Sequence, residues 1–154
     1  MYQRILVPID GSATSQHGLD EALRLAKLTG GQLRLLHMID ALSLTTAMGT
    51  YGAFSGDVYD ALQKEGRDVL EDGRQQALAA GVAADVVMEE NVRNRLVDWV
   101  VEQVTTWPAD VVVLGTHGRR GVSRVLLGSD AEQVVRLCPV PVLLVRGAGA
   151  LAPG

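Results

Sequence analysis

The sequence predicts an α/β protein, an open five-stranded parallel sheet with helices on both faces. Three observations lead there. Short β-rich apolar runs alternate with segments whose apolar residues recur at helical spacing. The runs are apolar on both sides, as in Val111-Val112-Val113-Leu114, and only a sheet covered on each face needs that. Glycine, proline and Asp-Gly-Ser groups punctuate the boundaries. A chain of 154 residues, 47% hydrophobic and 21% charged, has room for one domain with a sizeable core. That domain is expected over residues 1–147, with a frayed tail at 148–154.

Strand 1 is expected from Ile5 to Ile9, with Pro8 near its end where a missing N–H is tolerable. Asp10-Gly11-Ser12 supplies turn and capping residues, and Leu19, Ala22, Leu23 and Ala26 form the apolar stripe of helix 1, stopped by Gly30-Gly31. Strand 2 runs from Leu33 to Ile39, interrupted only by Arg34 and His37. Residues 40–56 form a long glycine-containing connection with a single charge, Asp40, of the kind that is mobile or functional. Helix 2 follows from about Asp57 to Ala80. Gly66 and Gly73 lie on its inner face, where each costs about 1 kcal/mol against alanine, so the helix is expected unusually close to its neighbour.

Val86 to Met88 reads as strand 3, flanked by Asp85 and by Glu89-Glu90. Asn91 is placed to cap helix 3, whose stripe is Val97, Val100, Val101, Val104 and Trp107 and which Pro108 ends; Trp99 lies off that stripe and is expected partly exposed. Strand 4 is Val111 to Leu114. Helix 4 carries Ala131, Val134, Val135 and Cys138 at i, i+3, i+4, i+7, and strand 5 is Val140 to Val145. Crossovers between such strands are right-handed. Ligands in these sheets bind beyond the carboxyl ends of the strands where the strand order reverses. If strands 1 and 4 are neighbours there, Asp10 and Gly115 face one crevice.

Composition excludes several classes. A net charge of -4 and a pI near 5.3 argue against general nucleic-acid binding, which needs basic charge spread over one face. There is no apolar run long enough for a membrane span, and no secretory signal is visible at the N-terminus. The single Cys138 cannot form an internal disulfide, which fits a cytoplasmic location. His17, His37 and His117 are too scattered for a metal site, and a buried His37 is expected to be satisfied by the protein itself.

The most informative stretch is Gly115 to Ser129, G-T-H-G-R-R-G-V-S-R-V-L-L-G-S. It joins a buried strand to a helix. Gly115, Gly118, Gly121 and Gly128 permit sharp turning and close backbone approach to a ligand. Ser129 stands where the helix begins, at the positive end of its dipole. Arg119, Arg120 and Arg124 lie between the outer glycines with no carboxylate among them. A glycine-rich backbone, a helix N-terminus and local positive charge together suit an anion, and phosphate is the natural one.

Gly115-x-x-Gly118, nine further residues, then Gly128-Ser129 resembles the ATP-binding signature of the universal stress protein family. The opening I-L-V-P-I-D with a Ser two residues on, L-L-H-M-I-D at strand 2 and C-P-V-P-V-L-L-V near the end resemble it too, so the likeness spans about residues 2 to 146. The resemblance implies a Rossmann-like sheet of the adenine nucleotide alpha-hydrolase-like type in the order 3-2-1-4-5, a homodimer, and bound ATP. It implies that Asp10 bonds the ribose, that Ile9 and Met38 meet the adenine through backbone groups, and that Gly115, Gly118, Gly128 and Ser129 hold the phosphates, with Arg119 beside them. Glu89, Glu90 and Asn91 depart from the family pattern, which often has Gly and Pro after strand 3.

Mg²⁺ is expected to arrive with the phosphates, since no carboxylate cluster offers it a cage. The apolar, chargeless edge of strand 5, Val140 to Val145, is the expected dimer contact. Neither a Walker loop, G-x-x-x-x-G-K-S/T, nor an S-G-G-x-D-S pyrophosphatase loop is present. A phosphoreceiver would want paired acids after strand 1 and an acceptor Asp after strand 3, where this chain has Asp10 alone and glutamates. The expectation is therefore a cytoplasmic ATP-binding regulatory module, not an enzyme. The alternative is a slow ATPase or nucleotidyl-transfer enzyme on the same fold.

Overall fold

A computed structural model describes residues 1–39, 56–90, 95–116 and 127–147. In chain order the elements are β1 (Arg4–Pro8), α1 (Ala13–Thr29), β2 (Gln32–Met38), α2 (Gly56–Ala79), β3 (Ala84–Glu89), α3 (Leu96–Thr106), β4 (Val111–Gly115), α4 (Ser129–Leu137) and β5 (Val142–Val145). All strand pairings are parallel, and the sheet order is β3-β2-β1-β4-β5. The order reverses between β1 and β4, so the crevice anticipated from the sequence lies between their carboxyl ends.

Because successive strand residues face opposite ways, each central strand feeds two cores. Ile5, Val7, Leu33, Leu35, Val111 and Val113 pack with Leu19, Ala22, Leu23, Leu70 and Ala77 beneath α1 and α2. Leu6, Leu36, Val112 and Leu114 pack with Val97, Trp99, Val100, Val104, Ala131 and Val134 beneath α3 and α4. Each fully buried Leu, Ile or Val contributes about 1.5–3 kcal/mol, so the central strands β1, β2 and β4 carry most of the core. At the end opposite the crevice, Asp110 Oδ2 accepts the amides of Gln3 and Arg4 at 2.8 and 2.9 Å and ties β1 to the start of β4.

The local chemistry explains the element ends. Ser12 caps α1 by accepting the Ser15 amide at 3.1 Å, and Gly30 ends it in the left-handed region, φ 70°. The close approach of α2 is present at both glycines. A Cβ on Gly66 would stand 2.7 Å from His37 Cδ2 and 2.8 Å from Met88 Sδ, and one on Gly73 would stand 2.8 Å from Leu35 Cδ1. α2 also carries exposed ion pairs, Lys64–Asp68 and Glu71–Arg74; the Arg74 side chain holds the Glu71 carboxyl down at about 2.

Five expectations differ from the structure. Trp99 is only 4% exposed, because α3 packs on α4 and shares a core with Leu6, Leu36, Val112 and Leu114 of the sheet, burying a wider arc than one stripe. α3 begins at Leu96 with Arg95 in the cap position, so Asn91, outside the described residues, is not its cap. Val135 is 44% exposed while Ala131 and Val134 are buried, since α4 rests near the sheet edge and only its inner rows are covered. β3 is longer than expected, Ala84–Glu89, because it pairs residue for residue with β2 from Leu33–Ala84 to Met38–Glu89; the charges at its ends are tolerable on an edge strand. β5 begins at Val142, after the two prolines. The connection at 40–55 and the tail at 148–154 lie outside the described residues.

Candidate functional site

The β1–α1 turn is held by three hydrogen bonds that close on themselves. The Ser12 amide donates to Asp10 Oδ1 at 2.9 Å, the Ser15 amide to Ser12 Oγ at 3.1 Å, and the Asp10 amide to Ser15 Oγ at 3.2 Å. Gly11 between them has φ 81°, which a side chain would oppose. In a capping box the third helical residue reaches back to the cap residue's own amide. Here that amide is taken by the Asp10 carboxylate, and Ser15 reaches two residues further, to Asp10. The half-buried Asp10 is therefore not the cap of α1; its carboxylate orients the residue that is.

Ile9 is buried just beyond β1. Its amide donates to the Leu36 carbonyl at 2.7 Å, and its carbonyl accepts the His37 Nδ1–H at 2.9 Å. Its amide is thus engaged, and its carbonyl retains one lone pair for another donor. Met38, half-buried, ends β2 opposite Glu89. His37, 6% exposed, is satisfied by the backbone, as expected of a buried histidine.

Across the crevice Gly115 ends β4. The β1–β4 pairing sets Ile5 beside Val111 and Leu6 beside Val112, with both strands running toward the crevice. A Cβ on Gly115 would lie 3.0 Å from both Thr14 Cγ2 and the Thr14 carbonyl, and one on Gly18 would lie 3.4 Å from the Gly115 amide, so two glycines let α1 and β4 touch. The amide of Thr116 donates to the Val145 carbonyl at 3.0 Å, and the amide of Gly128 to the Thr116 carbonyl at 2.9 Å. The glycine-rich stretch thus leaves β4 and returns to its own starting point. Gly128 occupies the cap position of α4 without a capping side chain, and Ser129 is its first helical residue. Asp130 and Glu132 in that first turn already complement the helix dipole, so an anion there depends on nearby positive charge. Gly118 and Arg119, with Arg120, Gly121 and Arg124, lie outside the described residues.

The structure thus brings Ile9, Asp10, Met38, Gly115, Gly128 and Ser129 to the carboxyl edge of the sheet. Sequence reasoning missed Thr14, Ser15 and the tie between His37 and Ile9. The spacing Ser12-x-x-Ser15 was the available signal for the second. A groove of about 490 Å³ runs from Ile9, Gly11 and Ser15 between α1 and α2, past Val69, Asp72 and Gly73. Gln16 and Gln76 bridge the two helices along it, amide to amide, at 2.6 and 3.2 Å. Among the described residues no cluster of His, Cys, Asp and Glu could hold a metal ion, and no helix is long and apolar enough to cross a membrane.

A parallel sheet whose order reverses between β1 and β4 defines an open, doubly wound type of α/β domain. The chain belongs to the universal stress protein family, whose sequence profile matches residues 1–146. It is 30% identical over 149 residues to universal stress protein MJ0531 of Methanocaldococcus jannaschii, covering 95% of this chain and 83% of that one. Among solved structures it resembles a universal stress protein family member from Burkholderia pseudomallei, with TM-score 0.72, 30% identity and coverage of 93% and 95% of the two chains. A universal stress protein in complex with cAMP superposes with TM-score 0.62 at 25% identity over 96% of this chain and 98% of that one. A family protein from Arabidopsis thaliana, At3g01520, with AMP bound has TM-score 0.70 at 14% identity over 99% and 96%.

Proposed function

We propose that the protein binds ATP with Mg²⁺ in the crevice between β1 and β4 and acts as a homodimeric regulatory module of the cytoplasm rather than as an enzyme. The observation that carries this reading is the pairing of the hydrogen-bonded Asp10 turn with the loop that Gly128 closes onto Thr116, at the one reversal of strand order. The AMP and cAMP named with the two structurally similar proteins support an adenine nucleotide. In this reading Asp10 accepts from the ribose. Met38 and the remaining lone pair of the Ile9 carbonyl meet the base, and Gly115, Gly118 and Ser129 turn backbone groups toward the phosphates, which Gly128, its own amide given to Thr116, admits to close range by lacking a side chain. Arg119 supplies charge that the acids of α4 require to be offset. The donor set suits Mg²⁺ only as a passenger on the phosphates, since the described residues offer no group of carboxylates to cage it.

The dimer reading rests on β5. Pro141 and Val145 carbonyls accept from β4, so the alternate residues Val142 and Leu144 present their N–H and C=O groups outward. Leu143 is 40% exposed, and Val142 to Val145 carries neither charge nor break. Such an edge calls for cover. Mass spectrometry of small molecules released from protein purified without added ligand tests the reading: ATP at near one per chain supports it, and a different class of ligand overturns it.

A further inference from the structure

We infer that His37, with Ser15, is a positioning residue for the nucleoside, acting through the peptide group that joins Ile9 to Asp10; this rests on the nucleotide-binding reading above. Both polar ends of that one peptide group are held by side chains. Its carbonyl, on Ile9, accepts from His37 Nδ1 at 2.9 Å, and its N–H, on Asp10, donates to Ser15 Oγ at 3.2 Å. A peptide group is planar, so two opposed hydrogen bonds set its rotation about the chain and hence the direction in which the Asp10 side chain leaves the backbone. The Ile9 amide, held by Leu36, prevents the preceding peptide from compensating. The carboxylate is then aimed by a second constraint, the Ser12 amide on Oδ1.

The holders are themselves immobilised. His37 is 6% and Ser15 7% exposed. The imidazole lies so close to α2 that a Cβ on Gly66 would be 2.7 Å from Cδ2 and 3.1 Å from Nε2. Glycine at 66 makes room for a ring at 37, and the ring reaches the carbonyl that a shorter or apolar side chain would leave to the solvent of the crevice. A buried histidine, a helix glycine and a serine in the first turn of α1 thus converge on one residue, Asp10, that touches none of the phosphates in this reading. The consequence is separable: loosening this peptide weakens the grip on the nucleoside and spares the grip on phosphate.

The test measures binding of adenosine, ATP and inorganic tripolyphosphate with Mg²⁺ by calorimetry, on the full chain and on His37→Leu, His37→Asn and Ser15→Ala. One oriented hydrogen bond is lost, so His37→Leu and Ser15→Ala are each expected to bind adenosine and ATP about tenfold more weakly while tripolyphosphate affinity is unchanged. His37→Asn, whose amide can stand where Nδ1–H stood, restores adenosine binding. The inference is overturned if His37→Leu binds adenosine like the parent, if tripolyphosphate is lost in step with adenosine, or if His37→Asn binds no better than His37→Leu. Should His37→Leu not fold, Ser15→Ala decides by the same selective loss. A parent chain that binds neither adenosine nor ATP overturns the nucleotide reading itself, a different outcome from parent binding that the variants leave intact.

Discussion

The amide of Gly128 donates to the carbonyl of Thr116 across 2.9 Å, which pins the two ends of the glycine-rich stretch together at the carboxyl end of β4. Closing a loop at its base carries the entropic cost of closure within the fold itself. Thr116 and Gly128 are therefore fixed to each other and, through the Thr116 amide on Val145, to the sheet.

From this follows the first prediction, that Gly118→Val and Gly128→Val each weaken ATP while leaving the thermal midpoint close to that of the parent. Gly128 has φ -58° and ψ 148°, a conformation that valine adopts without strain, so its side chain acts only by blocking close approach. The Gly128 amide is already given to Thr116, so the loss falls on neighbouring amides, and losing one such hydrogen bond to a charged phosphate corresponds to about tenfold or more in affinity. Calorimetric titration paired with thermal melting checks it; unchanged affinity in both variants would place the phosphates elsewhere.

At Gly66 two effects of a methyl group oppose each other. Alanine is better than glycine in a helix by about 1 kcal/mol, but its Cβ would meet His37 at 2.7 Å and Met88 at 2.8 Å, and overpacking costs about 1–3 kcal/mol. The Met88 thioether can swing aside, whereas the imidazole is held by Ile9. Gly66→Ala is expected to lower stability in urea unfolding. A stabilised variant would mean that α2 stands off from β2.

Turnover is expected to be negligible. Hydrolysis needs a group that positions water and charge stabilisation in the transition state, and the stretch from Gly115 to Ser129 contains arginines and a histidine but no carboxylate. Steady phosphate release near about 10 s⁻¹, the middle of the enzyme range, abolished by Asp10→Ala, would contradict this.

Dimerisation and binding are expected to separate. Leu144→Pro removes an outward-facing donor from the edge of β5, and Leu143→Glu places a charge on its exposed face. Light scattering should show both shifting from dimer toward monomer, with ATP affinity kept within about twofold, well under the 1.4 kcal/mol of a tenfold change. Two variants that remain dimeric would exclude β5 as the contact.

The alternation of elements and the two-sided burial of β1 and β4 were legible because they depend on local periodicity. The strand order was legible only through resemblance, since no short-range pattern says which strand lies beside which. Trp99 was misjudged because its burial depends on α4, a neighbour distant in sequence. At the site, Asp10, Gly115 and Gly128 stood out by residue type and spacing. The tie from His37 to Ile9 did not, because it joins a side chain to a carbonyl on another strand, and a buried histidine looks the same in sequence whether it merely fills space or orients a neighbour.

The central claim is that ATP lies between Asp10 and the returning loop, and amide chemical-shift mapping during an ATP titration tests it most directly. The account predicts the largest shifts at Asp10, Gly115, Thr116, Gly128 and Ser129, with Gln3, Gly30 and Val82 at the opposite end of the sheet unmoved. Saturating ATP that shifts none of the first group, or that shifts instead Lys64, Asp72 and Gln76 along the groove between α1 and α2, would contradict it.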